Sequence, residues 1–430
     1  MKEVIILAGG PGTRLHGAVD GIQKAMAPVG GRPFITYMLD RLISFGCDRI
    51  IISVGCFRES VTDYLGNRYK SAQIIYSVED EPLGTGGAIK RAFELCRGDF
   101  APVINGDTYF EADLDALTEF HKSTGAKITL SVKHLYNYSR YGSVIFGKDG
   151  RVTDFREKTQ TDDGFINAGV YCIDKDVFLS CPEKFSFEKE ILEPLKTDIF
   201  ALEGKGSFTD IGIPGDYLSS QLSIPLAAGR KEFKAAFIDR DGTLNKEKNY
   251  VHTPEEFEFI PGAVPALARL RAHGYLIIVI TNQAGVAKGY YTEKEVKALH
   301  SYINEKLGVP SHIDAFYYCP YHENGTVEEY ARPSTDRKPL PGMIYSAVAD
   351  FNKKGINIDL EASVLIGDTE KDIQTGINAG VGRKILVLSG HTRSGEGTEA
   401  DDTVKDLAAA ADLILHDELF PWEKPLSEEN

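Results

Sequence analysis

Phe233-Lys234-Ala235-Ala236-Phe237-Ile238-Asp239-Arg240-Asp241-Gly242-Thr243-Leu244 reads like the start of a protein, yet it lies in the middle of a chain of 430 residues. Ala235 to Ile238 form a short apolar run, the composition of a strand buried on both faces of a parallel sheet. The run ends in Asp239, Asp241 and Thr243, with Gly242 permitting a tight turn. Two carboxylates two residues apart at the carboxyl end of a strand can both reach the crevice beyond it, where open α/β sheets place their ligands. Asp-Gly alone is a common turn. The whole Asp-x-Asp-Gly-Thr after an apolar run is far more specific. The layout recurs downstream: Leu276 to Ile280 run into Thr281-Asn282-Gln283, Arg337-Lys338-Pro339 follow, and Val364 to Gly367 lead into Asp368-Thr369-Glu370-Lys371-Asp372.

Four motifs in this order resemble those of the haloacid dehalogenase (HAD) phosphatases, over residues 233–417. The resemblance implies Asp239 as the nucleophile that attacks phosphorus and Asp241 as the group that protonates the leaving oxygen and later deprotonates water. It implies a phosphate-binding hydroxyl on Thr281, a clamping Lys338, and substrate contacts from Asn282 and Arg337. Mg²⁺ is expected on Asp239, Asp368 and the backbone carbonyl of Asp241. Asn245 to Gly262 is similar to the insertion of the heptose 1,7-bisphosphate 7-phosphatases, and the histidinol-phosphate phosphatases share much of it. Both groups carry a zinc loop, C-x-H…C-x-C, before the Arg-Lys-Pro. Here it reads Cys319-Pro320-Tyr321-His322, then Ser334-Thr335-Asp336. Zinc needs four ligands in a closed site, so no zinc is expected and other contacts must order the loop.

The question is then what precedes this restart. The composition, 42% hydrophobic and 26% charged, is that of a globular protein, and the length suffices for two domains. A net charge of -15 argues against nucleic acid or an acidic membrane surface as partner. Anionic substrates must be met by local cations, backbone N–H groups or a metal. The six cysteines are scattered without a C-x-x-C pair, which fits a reducing cytoplasm. No signal peptide or membrane span is expected.

Val4 to Ala8 read as a buried strand, followed by Gly9-Gly10-Pro11-Gly12-Thr13-Arg14-Leu15. Glycines let the backbone approach a ligand, successive N–H groups can form an anion nest, and Arg14 adds a fork for phosphate oxygens. A tight strand-to-helix turn explains the glycines equally well. Lys24 follows in Gln23-Lys24-Ala25, then an amphipathic helix to about Ser44. Strands at 50–55, 74–78 and 101–104 alternate with helices, a parallel doubly wound pattern. Glu81 to Ala88 form a glycine-rich stretch in which Thr85 could cap a helix. Asn105-Gly106-Asp107 ends a strand.

This stretch resembles the sugar nucleotidyltransferases, in their G-G-x-G-T-R-L…K pattern, from Met1 to about Ser220. The resemblance implies nucleotide binding by Leu7, Ala8, Gly9, Gly10, Gly12, Thr13, Glu79, Gly84, Thr85 and Asp107, with Arg14 and Lys24 activating the triphosphate. Asp107 and Asp210 are implied as ligands of a second Mg²⁺. Gly142, Glu157, Lys158 and Asn167 match positions that hold the sugar phosphate, although Arg156-Glu157-Lys158 alone reads as a solvated charge run. Ser77 to Ile89, Ser139 to Gly142 and Phe185 to Lys189 are similar to the heptose 1-phosphate guanylyltransferases, which implies GTP and heptose phosphates as substrates.

The fold expected is two Rossmann-like α/β domains, 1–221 and 233–417, joined by a linker 222–232 and followed by an acidic tail 418–430. Phosphatase and transferase would act in sequence, with a homo-oligomer possible. Alternatives are another sugar or nucleotide, or a nucleotide-sugar-sensing first domain that regulates a histidinol-phosphate or sugar phosphatase.

Overall fold

The structure is a computed structural model that describes residues 2–10, 21–156, 161–195, 197–416 and 420. Two compact units divide the chain, Met1–Ala27 with Pro33–Ser220, and Pro28–Arg32 with Gln221–Phe420.

The second unit is built on the run quoted above. Strand Glu232–Ile238 lies between Tyr275–Asn282 and Val364–Gly367, all parallel. The sheet reads Ala315–Cys319, Tyr275–Asn282, Glu232–Ile238, Val364–Gly367, Arg383–Val387, Asp402–Val404. Strand order therefore reverses beside Glu232–Ile238, which opens a crevice at its carboxyl end. The apolar run is continuous because both faces are covered. Ala236 and Ile238 join a core with Leu267, Leu270, Leu299 and Leu407. Phe233, Ala235 and Phe237 join another with Met343, Ile344 and Phe351. Phe237 is fully buried, so truncation to alanine would cost about 3–5 kcal/mol.

The first unit repeats the device with a mixed sheet. Strands Phe100–Asn105, Lys2–Ala8, Cys47–Val54 and Ala72–Val78 are adjacent and parallel. Here too the first strand lies beside the fourth. The doubly wound pattern stops at this point. Strand Thr161–Asp174 pairs antiparallel with Phe100–Asn105, and Ile128–Tyr138 pairs antiparallel with Thr161–Asp174. A separate ladder joins Phe208–Asp210 to Thr108–Phe110 in antiparallel register, setting Asp210 opposite Thr108.

The linker expected over 222–232 begins inside a helix, Pro214–Ala227, and the next strand starts at Glu232. Pro225 is tolerated within that helix. Leu222 and Leu226, four apart on one helix face, pack against the core of the second unit. No helix among the described residues is long and apolar enough to cross a membrane.

Candidate active sites

In the second unit, strand ends converge on Asp239. Its backbone N–H bonds to the Ile366 carbonyl on the neighbouring strand, 2.9 Å. Lys338 Nζ lies 2.5 Å from Asp239 Oδ1 and 2.5 Å from Asp372 Oδ1, and it donates to the Ile280 carbonyl at 3.2 Å. Asn282 exchanges two hydrogen bonds with the Lys338 backbone. Its Oδ1 accepts from Lys338 N at 3.1 Å, and its Nδ2 donates to Lys338 O at 3.2 Å. It holds the lysine in place.

Asp239, Asp368 and Asp372 each offer an oxygen within 4.8 Å of the others. Burial, then Asp372 and Asp368, hold Asp239 well above the usual carboxylate range, with Lys338 opposing. Asp368 is raised by burial and by Asp372, against donors from His391. Burial opposes the charge on Lys338, but Asp239 and Asp372 outweigh it and hold its pKa up. Three carboxylates against one ammonium leave an excess of negative charge that a hard divalent cation suits. Asp368 Oδ1 is buried with no hydrogen-bond partner among the described residues, which is what a metal-facing oxygen needs. Asp368 Oδ2 accepts from His391 N at 2.6 Å. Gly242 and Gly390 are shaped around it, since a Cβ at either would lie 2.5 Å or 2.0 Å from Asp368 Oδ2.

Asp241 turns its carboxylate to a different set of partners. Arg240, fully buried, donates Nη2 to Oδ2 at 2.8 Å and to Oδ1 at 3.0 Å. Asn245 donates to Oδ1 at 3.0 Å and Gln283 to Oδ2 at 3.0 Å. Thr281 is buried at the end of its strand and accepts from Gln283 at 2.8 Å. Arg337 donates Nη1 to the Tyr321 carbonyl, 3.3 Å, and so helps to order the loop that holds Cys319 and His322. Cys319 is buried in the core, its thiol directed to the Tyr321 carbonyl at 3.7 Å and its pKa raised by burial. His322 Nδ1 accepts from Asn324 N at 3.0 Å. Arg332 lies over the Tyr321 ring at 4.4 Å, and Tyr330 bonds Glu293 at 2.9 Å.

In the first unit, a cavity of about 590 Å³ opens at the ends of the parallel strands. Leu7, Ala8, Gly9, Gly10, Lys24, Glu79, Gly84, Thr85 and Asp107 all line it. Gly12, Thr13, Arg14, Glu157 and Lys158 lie outside the described residues. Lys24 Nζ pairs with Asp107 Oδ2 at 2.6 Å. The Ile211 N–H bonds the Asp107 carbonyl at 3.1 Å, bringing Asp210 beside Asp107 across a hundred residues. Asp210 is raised by burial and then by Asp107, with Lys24, the Gly212 N–H and Arg140 opposing. Two neighbouring carboxylates, one pushed up by the other, again fit a divalent cation.

Two lining residues have their side chains engaged by the protein. Glu79 accepts from Ser53 at 2.7 Å and from Leu83 N at 3.1 Å. Thr85 donates to Glu188 at 2.6 Å and accepts from Phe187 N at 3.0 Å. The Thr85 hydroxyl thus latches the 186–188 segment. It does not cap the helix Gly84–Glu94, whose N-cap is Leu83. Gly84, Gly86 and Gly87 answer to packing, because a Cβ at each would strike Phe185 or Glu183 within 2.5 Å. Gly142 accepts from Asn167 N at 2.8 Å, and the Asn167 side chain bonds Tyr171 and Gly169 N.

Sequence reasoning missed several residues here. Gln23 donates to the carbonyls of Ala8 and Gly10 and accepts from Ala25 N, stapling the glycine loop to the lysine turn. Asp372 stood in the fourth motif, and its spacing from Thr369, whose N–H and hydroxyl it accepts at 3.0 Å and 2.5 Å, was the available signal. Arg240, Asn245 and Gln283 are motif neighbours whose roles depend on how the strand ends meet.

A lysine among three carboxylates in the second unit and a lysine beside two in the first, each at a reversal of strand order, are arrangements suited to phosphorus chemistry. Residues 3–224 match a family described as nucleotidyl transferase, and residues 234–411 match one described as polynucleotide kinase 3 phosphatase. A D-glycero-alpha-D-manno-heptose 1-phosphate guanylyltransferase of Aneurinibacillus thermoaerophilus is 44% identical over 223 residues, 51% of this chain and 96% of that protein. A D-glycero-beta-D-manno-heptose-1,7-bisphosphate 7-phosphatase of Salmonella typhi is 40% identical over 184 residues, 43% of this chain and 94% of that protein. A solved structure of a D,D-heptose 1.7-bisphosphate phosphatase from B. bronchiseptica, complexed with magnesium and phosphate, is 28% identical. That alignment covers 44% of this chain and 99% of the other, with a TM-score of 0.36. The chain belongs to the nucleotidyl transferase family through its first half and to the family of these heptose bisphosphate phosphatases through its second.

Proposed function

We propose that the second unit removes the 7-phosphate of D-glycero-D-manno-heptose 1,7-bisphosphate and that the first transfers GMP from GTP to the heptose 1-phosphate so formed. The carrying observation is that one chain spans nearly the full length of two relatives, one named for removing the 7-phosphate of a heptose 1,7-bisphosphate and the other for guanylylating a heptose 1-phosphate, with different anomers in the two names. The product of one is the acceptor class of the other. The domain limits we assign are 1–221 and 233–417, and the scattered free cysteines support a cytoplasmic setting.

In the phosphatase site, an Asp239 carboxylate oxygen bonds to phosphorus as the P–O bond to the sugar breaks, while Lys338 pairs with Asp239 and Asp372. Asp241 gives a proton to the departing sugar oxygen and later takes one from water, releasing phosphate. Mg²⁺, held by Asp239 and Asp368, would offset repulsion between carboxylate and phosphate dianion. In the transferase site the nucleophile is an oxygen of the sugar phosphate, so the protein supplies orientation and charge. Lys24, with Arg14, meets the triphosphate, Asp107 and Asp210 would hold a divalent cation that balances its charge, and Glu157 and Lys158 take sugar and phosphate. The Glu79 carboxylate is committed to Ser53 and Leu83, which leaves base recognition to the backbone of the 80–84 loop.

The test is incubation with the bisphosphate, Mg²⁺ and each nucleoside triphosphate in turn, following phosphate and pyrophosphate separately. GTP should give pyrophosphate only after phosphate has appeared. Both anomers of the bisphosphate should be supplied, because the transferase relative is named for the α form and the phosphatase relative for the β form. A chain whose two sites act in series should dephosphorylate the α form faster than the β, by about tenfold. Preference for ATP would remove the guanylyl assignment. Nucleotide-sugar binding without any pyrophosphate would favour a sensor.

A further inference from the structure

We infer that Gln283 is a positioning residue of the phosphatase site, whose side-chain amide ties the Asp241 carboxylate to the Thr281 hydroxyl. The inference rests on the reading of Asp239 as nucleophile and Asp241 as its acid–base partner. Gln283 is 1% exposed. Its Nε2 lies 3.0 Å from Asp241 Oδ2 and 2.8 Å from Thr281 Oγ1, and Tyr291 OH lies 2.7 Å from its Oε1. Tyr291 OH donates to the amide oxygen, which leaves the amide nitrogen to face Asp241 and Thr281. Both hydrogens of the amide are then used, one on each side chain.

Two consequences follow for the reacting phosphate. Thr281 accepts from Gln283, so its own proton is directed elsewhere, toward a phosphoryl oxygen. Asp241 is held at both oxygens, by Arg240 and Asn245 on Oδ1 and by Arg240 and Gln283 on Oδ2. Arg240 is the neighbour in sequence and Asn245 lies in the same turn, so Gln283 alone among the three links Asp241 to another strand. Tyr291 is fixed in turn. Its ring stacks on His252 at 4.8 Å and fills the space a Cβ on Gly285 would take. The Gln283 N–H already bonds the Cys319 carbonyl at 2.8 Å, so the backbone stays anchored when the side chain is changed.

A buried, satisfied glutamine could equally be a packing residue, and the leaving group separates the two roles. When the sugar phosphate reacts, the Asp239–phosphorus bond forms, the P–O bond to the sugar breaks, and the sugar oxygen keeps the electron pair and takes the Asp241 proton. With 4-nitrophenyl phosphate the same bond breaks but the phenolate leaves without a proton. Single-turnover rates, with enzyme in excess, isolate this first step. Gln283→Leu should slow the heptose bisphosphate by about a hundredfold and 4-nitrophenyl phosphate by less than about threefold. Tyr291→Phe, which keeps the ring and removes the hydroxyl that orients the amide, should show the same selectivity at about tenfold. Pyrophosphate formation from supplied heptose 1-phosphate checks the chain in each variant. Equal losses on both substrates, or no loss on either, overturn the inference. If Gln283→Leu does not fold, Tyr291→Phe decides by the same criterion. Asp241→Asn is the control. If it discriminates and the Gln283 variant does not, only the positioning role fails. If Asp241→Asn itself does not discriminate, the acid–base reading fails and the inference with it.

Discussion

Each unit carries a lysine–aspartate pair at the carboxyl ends of its strands, and the two are set in different surroundings. Lys338 and Asp239 lie 2.5 Å apart with side chains 4% and 10% exposed. Lys24 and Asp107 lie 2.6 Å apart at 14% and 41%. The chemistry assigned to each explains the contrast. A carboxylate that must itself attack phosphorus gains nucleophilicity from a dry setting and needs a buried cation to remain ionised there. A site whose substrates bring both nucleophile and electrophile needs only to orient them and balance their charge, so it can stay open to a large nucleotide.

The largest expected effect breaks the pairing outright. Asp239→Asn should lower phosphate release at least about a thousandfold while leaving pyrophosphate formation from heptose 1-phosphate unchanged. Asp107→Ala should do the reverse and more mildly, about a hundredfold, because it removes a charge partner and not a reacting atom. Loss of both activities from either change, in folded protein, would refute two separate centres.

The dry site should also carry an acid sensitivity. His300 stacks on Phe316 at 4.3 Å and faces Arg240 at 3.5 Å. Burial, then Arg240, push its pKa from 6.5 down to about 3. The folded value lies below the unfolded one, so the unfolded chain binds the proton first. Stability present above pH 6.5 is therefore lost as pH falls toward 3, by about 2 kcal/mol at pH 5. His300→Phe keeps the stack and should flatten the fall in the second unit's unfolding free energy between pH 7 and pH 5 by that amount. An unchanged slope in urea titrations at the two pH values would discard this account.

The smallest effect concerns the loop around Cys319 and His322. Protein washed with a mild chelator should hold no stoichiometric zinc by atomic absorption, and Cys319→Ser should cost about 1 kcal/mol, since the hydroxyl can take over the bond to the Tyr321 carbonyl. A zinc retained per chain would mean that the loop pairs differently.

The legible parts of the molecule were those written into contiguous sequence. Ala235 to Asp241, Leu276 to Thr281 and Val364 to Asp368 each combine a buried strand with a polar end, so strand and site residue were read together. What escaped depended on meetings that only the fold arranges. Asn282 meets the Lys338 backbone, more than fifty residues away, only in the fold. Thr85 reads as a helix cap from its place in the sequence, but its hydroxyl meets Glu188 and the Phe187 N–H, about a hundred residues away. The stretch 222–227 holds Pro225, which marks a break in sequence, and its helix with Leu222 and Leu226 on one face shows only in the fold. The change from parallel to antiparallel pairing in the first unit had no local signal, because an apolar strand reads alike in either direction.

The two glycines around Asp368 bear on how such a fused enzyme loses a function over time. A single base change can turn either glycine codon into one for alanine, and the added methyl group at Gly390 would land 2.0 Å from the Asp368 carboxylate. A lineage that no longer needs its phosphatase can therefore silence that half while every acidic motif stays intact in its genome. Surveys that score a catalytic domain by its aspartates alone would count such a silent half as working, and the residues to inspect are the ones with no side chain.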